Sequence, residues 1–107
     1  MAVIELNKDN FDKEVKEHKG VVLVDFYGTW CHPCMILKPI YKELSEQIDG
    51  VKFASLDTDK APEISQEHGI RGIPCIIAFK NGHEIDRIVG LIPKEQLKKA
   101  IEEIKKR

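Results

Sequence analysis

The chain has 107 residues, 42% hydrophobic and 33% charged, and its 17 Lys and Arg against 18 Asp and Glu leave a net charge of -1. This length predicts a single domain spanning residues 1–107 with one real core, and the composition excludes a disordered chain. Mixed, nearly balanced charge excludes the footprint of a nucleic-acid or membrane binder; the basic end, Lys98, Lys99, Lys105, Lys106 and Arg107, reads as a solvated helix face.

Met1-Ala2-Val3-Ile4-Glu5 lacks the basic start and apolar stretch of a signal peptide, and no apolar run approaches membrane-spanning length. A cytoplasmic protein, or one that has lost its leader, is expected. Val3 to Leu6 reads as a short strand, with Asn7 or Asp9 capping a helix that carries Phe11 and Val15 on one face and ends near Gly20. Val21 to Tyr27 is a near-continuous apolar run, the pattern of a central strand covered on both faces. Ile36, Ile40, Leu44 and Ile48 then recur every four residues, with Leu37 and Tyr41 widening the stripe, so a long helix is expected to run to Gly50 and to kink at Pro39. Val51 to Leu56 reads as a strand, Asp57 to Lys60 as a loop, and Pro62 as the first residue of a short helix that Gly69 ends. Ile70 to Pro74 is a connection and Cys75 to Lys80 an apolar strand. Asn81-Gly82 is a two-residue hairpin signal, from which His83 to Val89 returns antiparallel. Gly90 breaks the pattern, and Pro93 opens a last helix with Leu97, Ala100, Ile101 and Ile104 on its buried stripe. Alternating strands and helices followed by a hairpin and a helix predict an α/β fold, a mixed sheet with helices on both faces.

Cys31-His32-Pro33-Cys34 follows the apolar strand and opens the long helix. Unpaired backbone N–H groups and the macrodipole at a helix N-terminus favour thiolate over thiol, and a thiolate beside a second thiol exchanges disulfides. Three cysteines are too few and too odd a number for a structural disulfide framework. A zinc knuckle is the competing use of this spacing, yet no second C-x-x-C or H-x-x-x-H supplies the remaining ligands. Asp25 interrupts the apolar strand, and burial there raises the proton affinity of a carboxyl. His18, His68 and His83 have no ligand-like spacing and are explained by surface or loop positions.

Val24-Asp25-Phe26-Tyr27, Trp30-Cys31-His32-Pro33-Cys34, Pro39, Gly69-Ile70-Arg71-Gly72-Ile73-Pro74, Phe79-Lys80-Asn81-Gly82 and Val89-Gly90 stand in the order and spacing of the thioredoxin family, which the chain resembles over essentially its whole length. The resemblance implies a thioredoxin fold, a central mixed five-stranded sheet flanked by four helices. It implies a thiol-disulfide oxidoreductase that reduces protein disulfides, with Cys31 as nucleophile, Cys34 as resolving thiol and Asp25 as general base for Cys34. It also implies a cis-proline at Pro74, and an apolar rim of Trp30, Gly72, Ile73 and Gly90 where an extended client segment pairs with the Ile73 backbone. The implied partners are a thioredoxin reductase and disulfide-containing client proteins, with no nucleic acid and no membrane. The chain is expected to act as a monomer without metal, its redox group being the Cys31–Cys34 disulfide.

Three positions depart from the family pattern. His32 stands where glycine is usual beside Pro33; protonated, it adds a cation near Cys31 and is expected to make the protein more oxidising by at most about 30 mV. That leaves a reductant, although a histidine in this motif also fits a disulfide isomerase or oxidant. Cys75 takes the place of the usual threonine after Pro74. It reads as a small buried hydrophobe, or as a third thiol able to trap Cys31 or to complete a metal or cluster site with Cys31 and Cys34. Ser55 stands where a lysine often pairs with the aspartate, so the proton affinity of Asp25 is expected to rise further.

Overall fold

Strand runs and helical stripes alternate along the chain and assemble into a mixed sheet covered on both sides. The computed structural model describes residues 3–107. In chain order the elements are β1 (Ile4–Leu6), α1 (Asp12–Lys16), β2 (Val21–Tyr27), α2 (His32–Gln47), β3 (Lys52–Asp57), α3 (Pro62–Glu67), β4 (Cys75–Lys80), β5 (His83–Val89) and α4 (Lys94–Lys105). The strand order is β1-β3-β2-β4-β5, with β2 parallel to β3 and antiparallel to β4. β2 is thus central, and all seven of its residues are buried.

Side chains alternate across a strand, so β2 feeds two cores. Val22, Val24 and Phe26 pack with Phe11 and Val15 of the α1 segment and Ile64 of α3. Val21 and Leu23 pack on the other face with Leu37, Tyr41 and Leu44 of α2 and Leu97, Ile101 and Ile104 of α4. The Tyr41 hydroxyl lies 3.0 Å from Leu23 O and 2.8 Å from Ala54 O, tying α2 to both inner parallel strands.

The first helix is shorter than its pattern predicts. Asn7 Oδ1 accepts from Asp9 N and Asn10 N at 2.8 and 2.9 Å, capping one turn, and the chain then makes a single wide turn closed by Glu17 N on Asp12 O at 3.0 Å. A segment this short gains little from propagation and is held by burial of Phe11 and Val15. α2 contains Pro39 and is continuous around it, but it ends at Gln47 rather than Gly50 because Ile48 is already extended. Asn81 and Gly82 make the hairpin turn at φ of 53° and 80°. Gly82 is required there twice over, because a Cβ would also sit 2.8 Å from Lys16 O. Beyond the turn, β5 carries one extra residue opposite Ala78 and Phe79. Arg107 reaches back over this edge strand, donating to Ile85 O at 3.1 Å and Asp86 Oδ2 at 2.8 Å.

Candidate active site

Where β2 ends, Gly28 leads into the turn that starts α2. Cys31 is the N-cap and His32 and Pro33 are the first helical residues, where the missing proline N–H costs nothing. Cys31 and Cys34 are joined as a disulfide, with Cα atoms 5.2 Å apart. Cys34 N donates to Cys31 Sγ at 3.3 Å. After reduction that N–H and the start of α2 stabilise negative charge on Cys31. Cys31 is 6% exposed against 1% for Cys34, so the first thiol is the more accessible. His32 is exposed beside it.

Asp25 shares the α2 face of the sheet with Leu23 and Tyr27, by strand alternation. It is 3% exposed, and its Oδ1 accepts no hydrogen bond among the described residues. Burial pushes its pKa up from 3.8 to about 7, while Lys38 pulls it down and Glu5 pushes it further up. Ser55 is its register partner on β3, and Glu5 is the partner of Ser55 on β1. The absent strand lysine is therefore not the whole account, since α2 supplies Lys38 as a cation. Glu5 accepts from Ser55 Oγ and from the Tyr27 hydroxyl, both at 2.9 Å. Burial and the Glu5 carboxylate push the Tyr27 hydroxyl well above its ordinary range, which keeps it a donor. A cavity of about 470 Å³ brings Asp25, Cys34, Tyr27, Glu5, Lys38 and Ser55 together.

The rim is apolar. The Ile73–Pro74 peptide bond is cis, and Ile73 O lies 3.9 Å from Cys31 Sγ. Gly90 N donates to Pro74 O at 2.8 Å, bringing the end of β5 against this turn, and Gly72 lies exposed beside Val89. Trp30 is 69% exposed and Val89 60%, unusual for large apolar groups away from a contact surface. Trp30 Nε1 donates to Asp59 Oδ2 at 2.8 Å, which holds the indole down. Gly28 makes room for it: a Cβ there would meet the indole at 2.9 Å and Ile73 Cδ1 at 3.2 Å.

Cys75 is not brought to the pair. It projects into the opposite core with Phe26, Ile77 and Phe79, is free, and has its pKa pushed up by burial. The reading of a third ligand or trapping thiol fails on this geometry, because β4 points odd-numbered residues away from α2. Among the described residues no three His, Cys, Asp or Glu cluster as a metal site. His68 also differs from expectation: half-buried, it places its ring 5.5 Å from Phe11 and 5.4 Å from Phe79, with Nδ1 2.9 Å from Ile64 O. Sequence reasoning missed Glu5, Gly28, Lys38 and Asp59. Only Lys38 carried a signal, its four-residue spacing from Cys34 along a helix.

A disulfide opening a helix, a buried carboxyl in the cavity that Cys34 lines and Ile73 packed against the sulfurs define a dithiol-disulfide exchange protein. The thioredoxin family model matches residues 2–103, and the chain belongs to that family. It is 42% identical over 102 residues to thioredoxin of Buchnera aphidicola subsp. Schizaphis graminum, covering 94% of each chain. To thioredoxin of Staphylococcus saprophyticus it is 39% identical over 103 residues, covering 95% of this chain and 97% of that one. The solved structure of a mutant thioredoxin from Halobacterium salinarum NRC-1 superposes with a TM-score of 0.86 at 32% identity, over 95% of this chain and 89% of that structure. The chain is a protein-disulfide oxidoreductase that works by dithiol-disulfide exchange at Cys31 and Cys34. Among the described residues no helix is long and apolar enough to cross a membrane.

Proposed function

We propose that residues 1–107 act as one monomeric, cytoplasmic domain that reduces client protein disulfides and is recycled by a thioredoxin reductase. Cys31 is the nucleophile, Cys34 the resolving thiol and Asp25 the base. The Cys31 thiolate attacks one client sulfur, forming a mixed disulfide and releasing the other client sulfur as thiolate. Cys34 then gives its proton to Asp25 and attacks Cys31 Sγ; the Cys31–client bond breaks and the second client thiolate leaves. The client gains two electrons and, from Asp25 and solvent, two protons. The Cys31–Cys34 pair loses the electrons and regains them from the reductase.

An extended client segment is held by the Ile73 backbone beside Pro74, between Trp30, Gly72 and Gly90. Pro33 fixes the first turn of α2, His32 stands exposed beside Cys31, and Cys75 fills the core behind Pro74. The observation that carries this division of labour is the placement of Asp25 in one cavity with Cys34, the less exposed sulfur. Cys34→Ser incubated with a disulfide-bonded client and resolved by mass spectrometry tests it. A stable mixed disulfide on Cys31 is expected, and none in Cys31→Ser. Adducts on residue 34 in the Cys31→Ser protein, at wild-type rate, count against the assignment.

A further inference from the structure

We propose that Glu5 and Lys38 are opposed positioning residues for the exchange reaction, setting across a shared cavity how readily Asp25 accepts the proton that Cys34 must lose. This inference rests on Asp25 being the base for Cys34. Glu5, Ser55 and Asp25 stand side by side on three adjacent strands. Glu5 has one carboxylate oxygen held by Ser55 and the other by Tyr27, at 2.9 Å each. Both donors are neutral hydroxyls, so they fix the position of the negative charge without cancelling it. Lys38 follows Cys34 by four residues and so shares its helix face. Its ammonium sits 4.3 Å from the centre of the Tyr27 ring, so the residue that anchors Glu5 also seats Lys38.

The other titratable groups lining this cavity are Tyr27, Cys34, Tyr41 and Lys42. Burial holds both tyrosines protonated at working pH, leaving Glu5 as the anion and Lys38 and Lys42 as the cations. Asp25 receives their fields through a low-dielectric wall, where charge is felt more strongly than in water. Glu5 and Lys38 themselves reach solvent at the cavity mouth, so their influence is screened by salt. The sign of each effect agrees with its charge: Glu5 raises and Lys38 lowers the proton affinity of Asp25.

The test is a ¹³C-carboxyl NMR titration of Asp25 in the reduced protein. It is paired with the pH profile for resolution of a mixed disulfide between Cys31 and glutathione. Glu5→Gln is expected to lower the midpoint and Lys38→Gln to raise it, each by about half a pH unit. Lys38→Arg restores the wild-type value, and both shifts shrink between about 0.01 M and 1 M salt. A merely structural role would not produce shifts of opposite sign. Midpoints that stay in place, or that move in the same direction, overturn the inference. Asp25→Asn separates it from its premise. If resolution keeps its rate and pH profile in that variant, the base assignment itself is wrong; if the rate falls while the Glu5 and Lys38 midpoints stay in place, only the present inference is lost.

Discussion

Asp25 and Phe26 are neighbours on β2 that face opposite sides of the sheet, and the two sides treat what they bury in opposite ways. Behind Phe26 the space is filled: Phe79 meets Phe11 edge-on at 6.2 Å, His68 packs among the rings, and Cys75 sits 1% exposed among them. In front of Asp25 there is a cavity, an unpartnered carboxyl oxygen and charges at the mouth. The filled side supplies stability, and the open side gives stability up by burying an unpartnered carboxyl, the proposed base, in one cavity with Cys34. The same contrast separates the cysteines. Cys75 is shielded as an inert thiol, whereas Cys31 stands at a helix start where thiolate is favoured.

Replacing the acid breaks this contrast most strongly. An acid whose folded-state pKa is raised binds its proton more tightly when folded, so its stability contribution is complete below the unfolded value and is lost as pH rises through the folded one. For Asp25 that window runs from 3.8 to about 7. A gap of about three pH units corresponds to about 4 kcal/mol. Asp25→Asn is therefore expected to be more stable than wild type by about that amount above pH 8, and equal to it below pH 4, in denaturant unfolding at both pH values. Its resolution step is expected to slow by about 10²-fold or more. An unchanged difference between the two proteins across pH would erase the distinction between the two sides.

On the filled side the expected effect is smaller. Cys75→Ser buries a hydroxyl among aromatic rings and should cost about 1–3 kcal/mol, with Cys75→Ala costing less, while neither alters insulin-disulfide reduction. Oxidised wild-type protein should show one free thiol on unfolding and very slow labelling when folded. A marked loss of activity in Cys75→Ala would mean that the sheet does not separate the two roles. The smallest effect belongs to His32, which is exposed at the start of α2 beside Cys31. His32→Gly should lower the potential by no more than about 30 mV in a glutathione redox titration. Identical potentials would remove His32 from the site.

Strand positions, the hairpin and the cysteine pair were legible because each depends on local pattern. An apolar run from Val21 to Tyr27 broken only by Asp25 reads as a central strand, and Asn81-Gly82 accommodates two positive φ values with little strain. The shortening of α1 was not legible, since Asn7 closes its own turn and the periodicity of Phe11 and Val15 fits a longer helix equally well. Glu5 and Lys38 escaped for a different reason. Their meeting depends on strand register and on the rotation of α2, neither of which a single sequence displays. His68 looked like a loop residue because nothing in its neighbours in sequence announces Phe11, Phe26 and Phe79 around it. Gly28 was silent for the same reason, its role being the space left for an indole two residues on.

The end of β5 leads to a different kind of consequence. A protein proposed to recruit clients by adding their backbone at Ile73 is exposed to unwanted pairing at its real sheet margins. β1 offers only three residues. β5 carries His83, Glu84, Asp86 and Arg87, is put out of step by its extra residue, and has Ile85 O already taken by Arg107. Short, charged and irregular edges are poor templates for another chain. Self-association is thereby discouraged at both margins, which leaves the proposed client site at the turn before Pro74 without competition from the sheet edges.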